Sequence, residues 1–106
     1  MLVVVSIVRF RSKLEDDAVE AKFEERAHRY RQVPGLVEKI YLHYRETGEF
    51  GAIYVWESDA ALARFRESEL ARTIPRAYQV DSAPRSELAD VSLVVRSEVA
   101  GATPTR

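Results

Sequence analysis

The sequence predicts a small α+β fold with two helices on one face of an antiparallel sheet. Three observations carry this. Strand-like and amphipathic helical segments follow one another in the order β-α-β-β-α-β. A glycine-bearing turn joins the two middle strands into a hairpin. A further apolar segment, Val91 to Arg96, follows as an extra C-terminal strand.

Leu2 to Phe10 is rich in valine and isoleucine and apolar on both faces, which predicts a central strand. Ser12 followed by Glu15 forms a capping box, so a helix is expected to start near Lys13. Val19, Phe23, Ala27 and Tyr30 recur at spacings of four, four and three, one stripe of that helix. Glu20, Lys22, Glu24, Glu25, Arg26, Arg29 and Arg31 flank the stripe and read as a solvated charged face, and Pro34-Gly35 ends the helix. Leu36 to Arg45 and Phe50 to Trp56 read as the hairpin strands, with Glu46-Thr47-Gly48-Glu49 between them. Ser58 can cap a second helix, with Ala61, Leu62 and Phe65 as its apolar stripe and an end near Leu70. Tyr78 to Ala83 is the expected fourth strand, Pro84 to Asp90 a polar loop, and Val91 to Arg96 the fifth strand. This order is the ferredoxin-like arrangement.

A single domain over 1–98 with a flexible tail over 99–106 is the expected organisation of the 106 residues. No cysteine is present, which excludes disulfides, thiolate metal sites and a cysteine nucleophile. The net charge is −1 and no basic face stands out, so nucleic acid is not an expected partner. The longest apolar run, Leu2 to Val5, is too short for a signal-peptide core or a membrane span, so no membrane partner and a cytoplasmic location are expected.

A turn centred on Thr47 and Gly48 would set Tyr41 opposite Tyr54, Lys39 opposite Trp56 and His43 opposite Ala52. One face then carries Val37, Lys39, Tyr41, His43, Arg45, Phe50, Ala52, Tyr54 and Trp56. The opposite face, led by Leu36, Ile40, Leu42, Ile53 and Val55, is mostly aliphatic and reads as ordinary core. The aromatic and cationic face can either line a pocket or form a contact between two chains.

The run from Pro34 to Ser58 resembles the YdhR-type family, whose members are proposed monooxygenases of the dimeric α+β-barrel superfamily. The matching features are Pro34-Gly35-Leu36, Lys39, Thr47-Gly48-Glu49 and Gly51-Ala52-Ile53-Tyr54, with Tyr78-Gln79-Val80-Asp81 and Ser86 later. The sequence departs from the pattern at Tyr41, where tryptophan is expected, and at Ala52, where a second glycine is expected. The resemblance implies a homodimer whose two sheets pack face to face, with helices outside and a small cavity in each subunit. It also implies that Val91 to Arg96 extends the partner's sheet.

Oxygenation normally uses haem, flavin or a metal. The chain has no glycine-rich nucleotide loop, no metal-ligand spacing, no Gly-x-Ser-x-Gly run and no phosphate-loop run. A reaction without cofactor requires a substrate that supplies its own electrons, such as a phenol or quinol ionised in the site. On this reading His43 and Tyr54 are the candidate catalytic residues, with His43 as base. Lys39, Tyr41, Trp56 and Arg64 are the candidate substrate-binding residues, the aromatics stacking on a flat ring and the cations favouring its anion. Two alternatives stand beside it: a non-catalytic dimeric domain that binds a small aromatic or hydrophobic ligand, and a haem-binding member using His43 or His28.

Overall fold

The computed structural model describes residues 3–99. Four strands form one antiparallel sheet in the order β2-β3-β1-β4. They are β1 (Val4–Phe10), β2 (Leu36–His43), β3 (Phe50–Trp56) and β4 (Arg85–Asp90). The helices are α1 (Asp16–Tyr30), α2 (Asp59–Arg66) and two single turns, α3 (Glu69–Arg72) and α4 (Ile74–Ala77). β1 is central, between β3 and β4, as its two apolar faces require.

The hairpin register differs from the expected one by two residues. Tyr41 pairs with Ala52, Lys39 with Tyr54 and His43 with Phe50. The cause is the turn: Tyr44 N donates to Glu49 O at 2.7 Å, so the loop is Arg45 to Gly48. Gly48 closes it at a φ of 76°. A shift of two preserves side-chain parity, so the two faces keep nearly the expected membership. The exception lies at the start of β2, where a bulge makes Val37 the extra residue and carries Leu36 round to the aromatic side.

The faces exchange roles. The helices cover the aromatic face, not the aliphatic one. Val4, Ser6, Phe10, Phe50, Ala52, Tyr54 and Trp56 are buried there against Val19, Phe23, Tyr30, Leu62, Phe65 and Leu70. Trp56 is fully buried, and its Nε1 donates to Ser6 Oγ at 3.0 Å. The aliphatic face, with Val5, Ile7, Ile40, Leu42, Ile53 and Val55, is open on the sheet's other side and only partly buried.

Four expected elements differ from the expectation. Ser12 does not cap α1; its Oγ accepts from Leu14 N and its hydroxyl donates to Tyr78 O, while Glu15 is the cap residue. Ser58 does cap α2, accepting from Ala61 N at 3.1 Å. That helix stops at Arg66, because Ser68 starts a new turn by accepting from Ala71 N. Tyr78 to Ala83 is not the fourth strand: Gln79 takes a φ of 46°, which breaks extension, and Val80 makes an isolated bridge to Ser12. The fourth strand is instead the polar stretch Arg85–Asp90, exposed along its whole length and held by its ladder to β1. Val91 to Arg96 forms no strand within the subunit, and Leu93, Val94 and Val95 are exposed. Beyond Val99, the expected tail lies outside the described residues.

Candidate active site

β2, β3 and β1 place one side chain in every two on the inner face, and α1 crosses above them. Between these layers is a small cavity of about 20 Å³. Val8, Phe10, Phe23, Tyr30, Lys39, Tyr41, Gly51, Ala52, Tyr54, Ile74 and Tyr78 line it. It holds about one water-sized group, not a ring. A wider opening of about 250 Å³ adjoins it through the shared residues Val8, Tyr54 and Ile74. Leu62, Phe65, Arg66, Pro84 and Ser86 complete that mouth. A groove of about 390 Å³ between α1 and β2 meets the cavity from the other side and shares Tyr30, Lys39 and Tyr41 with it.

Lys39 is the centre of the arrangement. Its Nζ lies 3.2 Å from the ring centre of Tyr30, 4.3 Å from Tyr41 and 4.6 Å from Tyr54. Three ring faces bound the amine, and among the described residues no carboxylate forms an ion pair with it. Burial pushes its pKa down to about 6, and the Arg26 guanidinium adds to this by repulsion. The ring faces act the other way by stabilising the ammonium.

The phenols move upward. Burial raises Tyr41 to about 12, and it raises Tyr54 and Tyr78 further. These hydroxyls therefore stay protonated at neutral pH and can donate hydrogen bonds. The hydroxyl oxygens of Tyr30, Tyr41 and Tyr78 are buried without a hydrogen-bond partner among the described residues. Phe23 stacks on Tyr41 at 4.3 Å and holds that ring in place.

Of the six residues expected from sequence, the fold brings Lys39, Tyr41 and Tyr54 together. Trp56 lies beside them, its ring parallel to Tyr54 at 5.8 Å, but packed in the core rather than lining the cavity. His43 sits at the end of β2, its ring stacked on Phe50 at 4.0 Å and its Nε2 3.7 Å from Asp16. It does not border the cavity. Arg64 lies on a separate groove between α1 and α2, with Arg29, Pro34 and Ser68. His28 is exposed on α1, away from any of these openings.

Sequence reading missed Arg26, Tyr30 and Tyr78. Arg26 is buried rather than solvated; its Nη2 donates to Leu70 O at 2.8 Å and to Thr73 Oγ1 at 3.3 Å. The signal was present, since Val19, Phe23, Arg26 and Tyr30 fall at i, i+4, i+7 and i+11 and share one helical face. Tyr78 falls in the expected fourth strand, whereas the structure ends a helical turn there and turns its ring into the cavity.

Fold and interior together define a ferredoxin-like domain built around an aromatic cavity. Residues 5–81 match the family model described as "Putative mono-oxygenase ydhR", and the chain belongs to that family. A comparison with curated proteins gives no match. Among solved structures, the chain is similar to protein NE2512 of unknown function from Nitrosomonas europaea, with TM-score 0.75 and 15% identity, covering 92% of this chain and 96% of that one. It is also similar to SnoaB, a cofactor-independent oxygenase from Streptomyces nogalater, with TM-score 0.66 and 19% identity, covering 92% and 99%. A dimeric ferredoxin-like protein of unknown function from Thermobifida fusca matches with TM-score 0.69 and 10% identity, covering 85% and 92%. These likenesses establish the shared fold. Among the described residues no helix is long and apolar enough to cross a membrane.

Proposed function

We propose that the protein is a cofactor-independent monooxygenase of small phenolic or quinol-like substrates, working as a cytoplasmic homodimer. The observation that carries this reading is the Lys39 amine, set among three tyrosine rings at the wall of a small cavity. Family membership supports the oxygenase class. The likeness to a cofactor-independent oxygenase supports a reaction driven by the substrate's own electrons.

The substrate ring occupies the mouth between Val8, Tyr54, Phe65 and Ile74, with its hydroxyl toward Lys39. Lys39, as the free amine, takes the phenol proton; the resulting ammonium then stabilises the phenolate. Tyr54 holds the ring, and the Tyr41 and Tyr78 hydroxyls donate to oxygen as negative charge develops. The phenolate reduces O₂. One oxygen atom joins the ring carbon opposite the hydroxyl, and the other leaves as water. A phenol with hydrogen at that carbon and one O₂ thus give one quinone and one water, all four electrons coming from the substrate. His43 has no part in this scheme, and Lys39 replaces it as base.

The open face, with Val5, Ile7, Ile40, Ile53 and Val55, packs against the same face of a second subunit, and Val91 to Arg96 pairs with the partner's sheet. A half-buried apolar sheet face with Ile40 exposed, and the exposed side chains of Leu93, Val94 and Val95, support this, as does the dimeric Thermobifida neighbour. Ile53→Arg is expected to give a monomer by light scattering; a wild-type monomer at micromolar concentration would remove the dimer. The activity is tested by oxygen consumption with a panel of hydroxyanthracenes and quinols and no added cofactor. Uptake matched by quinone formation is expected; binding without uptake would leave a ligand-binding domain.

A further inference from the structure

We propose that Lys39 is also a carbonyl-binding nucleophile, forming a Schiff base with a small aromatic aldehyde or ketone held in the mouth of the cavity. This is independent of oxygen chemistry and of the oxygenase reading.

Three observations carry it. The first is composition: the chain has three lysines against thirteen arginines. Lys13 is exposed, and Lys22 pairs with Glu25 at 3.0 Å. Lys39 alone of the three faces the interior, among ring faces and without a carboxylate partner among the described residues. An arginine there would serve as a permanent cation, but only a lysine amine can shed its proton and attack carbon.

The second observation is the acid side of the reaction. Tyr30, Tyr41 and Tyr78 line the same cavity, and their hydroxyl oxygens are buried without a hydrogen-bond partner among the described residues. Each costs free energy to bury unpaired. A carbonyl oxygen entering the cavity would accept from these hydroxyls. Imine formation needs such donors twice, first to polarise the carbonyl and then to help hydroxide leave the carbinolamine. The lowered proton affinity of Lys39 and the raised affinity of the phenols set base and acids in the right states at neutral pH.

The third is size. The cavity of about 20 Å³ admits a carbonyl group but no ring, while the mouth of about 250 Å³ beside it is walled by Val8, Tyr54, Phe65 and Ile74. This shape accommodates the ring in the mouth and the carbonyl in the cavity beside Lys39. The step is a condensation: the amine nitrogen bonds to the carbonyl carbon, the carbonyl oxygen leaves as water, and the product is the imine. No electron changes hands.

The test is reductive trapping. The full-length protein is incubated near neutral pH with 4-hydroxybenzaldehyde and cyanoborohydride, and labelled residues are located by peptide mass spectrometry. Labelling of Lys39 is expected to saturate with aldehyde and to exceed that of Lys13 and Lys22 at least tenfold. Lys39→Arg sets a permanent cation over the rings and should remove this label. Tyr78→Phe should slow Lys39 labelling several-fold while leaving Lys13 and Lys22 unchanged. Circular dichroism and a thermal melt establish that each variant is folded. Labels confined to Lys13, Lys22 and the amino terminus would overturn the proposal. Oxygen uptake is not read here, so failure of the oxygenase reading leaves this result distinct.

Discussion

Lys39 Nζ approaches the ring centre of Tyr30 to 3.2 Å, from a strand on one layer to a helix on the other. The contact joins β2 to α1 across the cavity. A charged amine held this way gains ring attraction and loses hydration. The balance between the two gives the first prediction.

In the unfolded chain Lys39 titrates near 10.5, and in the folded protein it is lowered to about 6. Between those values the unfolded chain holds a proton that the folded one lacks, so stability rises with pH across that window. Lys39→Met removes the group and its penalty. It should therefore stabilise the protein at neutral pH by about 1–4 kcal/mol, with the gain shrinking toward pH ~10. Urea denaturation at several pH values measures this. A variant less stable than wild type at neutral pH would mean that ring attraction outweighs burial.

On the proposed mechanism the same titration governs turnover. Lys39 acts as a base only when neutral, so kcat/KM should rise with pH through about 6 and then level off. A profile flat across that range would show that another group takes the proton.

His43→Ala is expected to leave oxygen uptake within about twofold of wild type and stability within roughly 0.5 kcal/mol. Its ring stacks on Phe50 at the turn end of the hairpin, outside the cavity. A tenfold loss of activity would return the base to His43.

Ser6→Ala leaves the Trp56 Nε1 without its acceptor in a fully buried place. The expected cost is about 1–3 kcal/mol. Pairing it with Trp56→Phe should cost less than the two single changes added together, because the orphaned donor is then gone. Strict additivity in urea denaturation would show that the hydrogen bond contributes little.

On the open face, Glu49 accepts from Arg9 Nε at 2.9 Å and from Arg85 Nη2 at 3.0 Å, while Arg9 lies over the Tyr44 ring. The Arg9 hydrogen bond, helped by Thr47 and by Arg85, holds the Glu49 carboxyl below its ordinary range. Its folded pKa is depressed, so its contribution is present above the unfolded value and lost as pH falls through the folded one. Glu49→Gln should reduce stability at neutral pH and flatten the acid limb of a thermal melt series. Unchanged acid sensitivity would place the acid-labile group elsewhere.

The elements with strong periodicity were legible in the sequence. Val19, Phe23 and Tyr30 marked α1, the β1 valines marked a central strand, and hairpin parity survived a misplaced turn because two residues restore the same face. What was hidden depended on partners distant in sequence. Arg85–Asp90 has no strand-like composition and becomes a strand only by pairing with β1. Which sheet face the helices choose is likewise a property of three layers, not of one hairpin. The aromatic face took the helices because Tyr54, Trp56 and Tyr41 fill the space against Phe23, Tyr30 and Phe65. Lys39, Tyr41 and Tyr54 followed from parity. Arg26 was lost by reading charge before periodicity.

On the proposed mechanism the Lys39 amine drives oxygen chemistry in this cavity. Oxygen consumption by Lys39→Met, measured with the best hydroxyanthracene or quinol at neutral pH and no cofactor, tests it most directly. A folded variant that still binds the ring while kcat falls by about 10²–10⁴ is the predicted result. A folded variant that consumes oxygen at the wild-type rate would contradict the account.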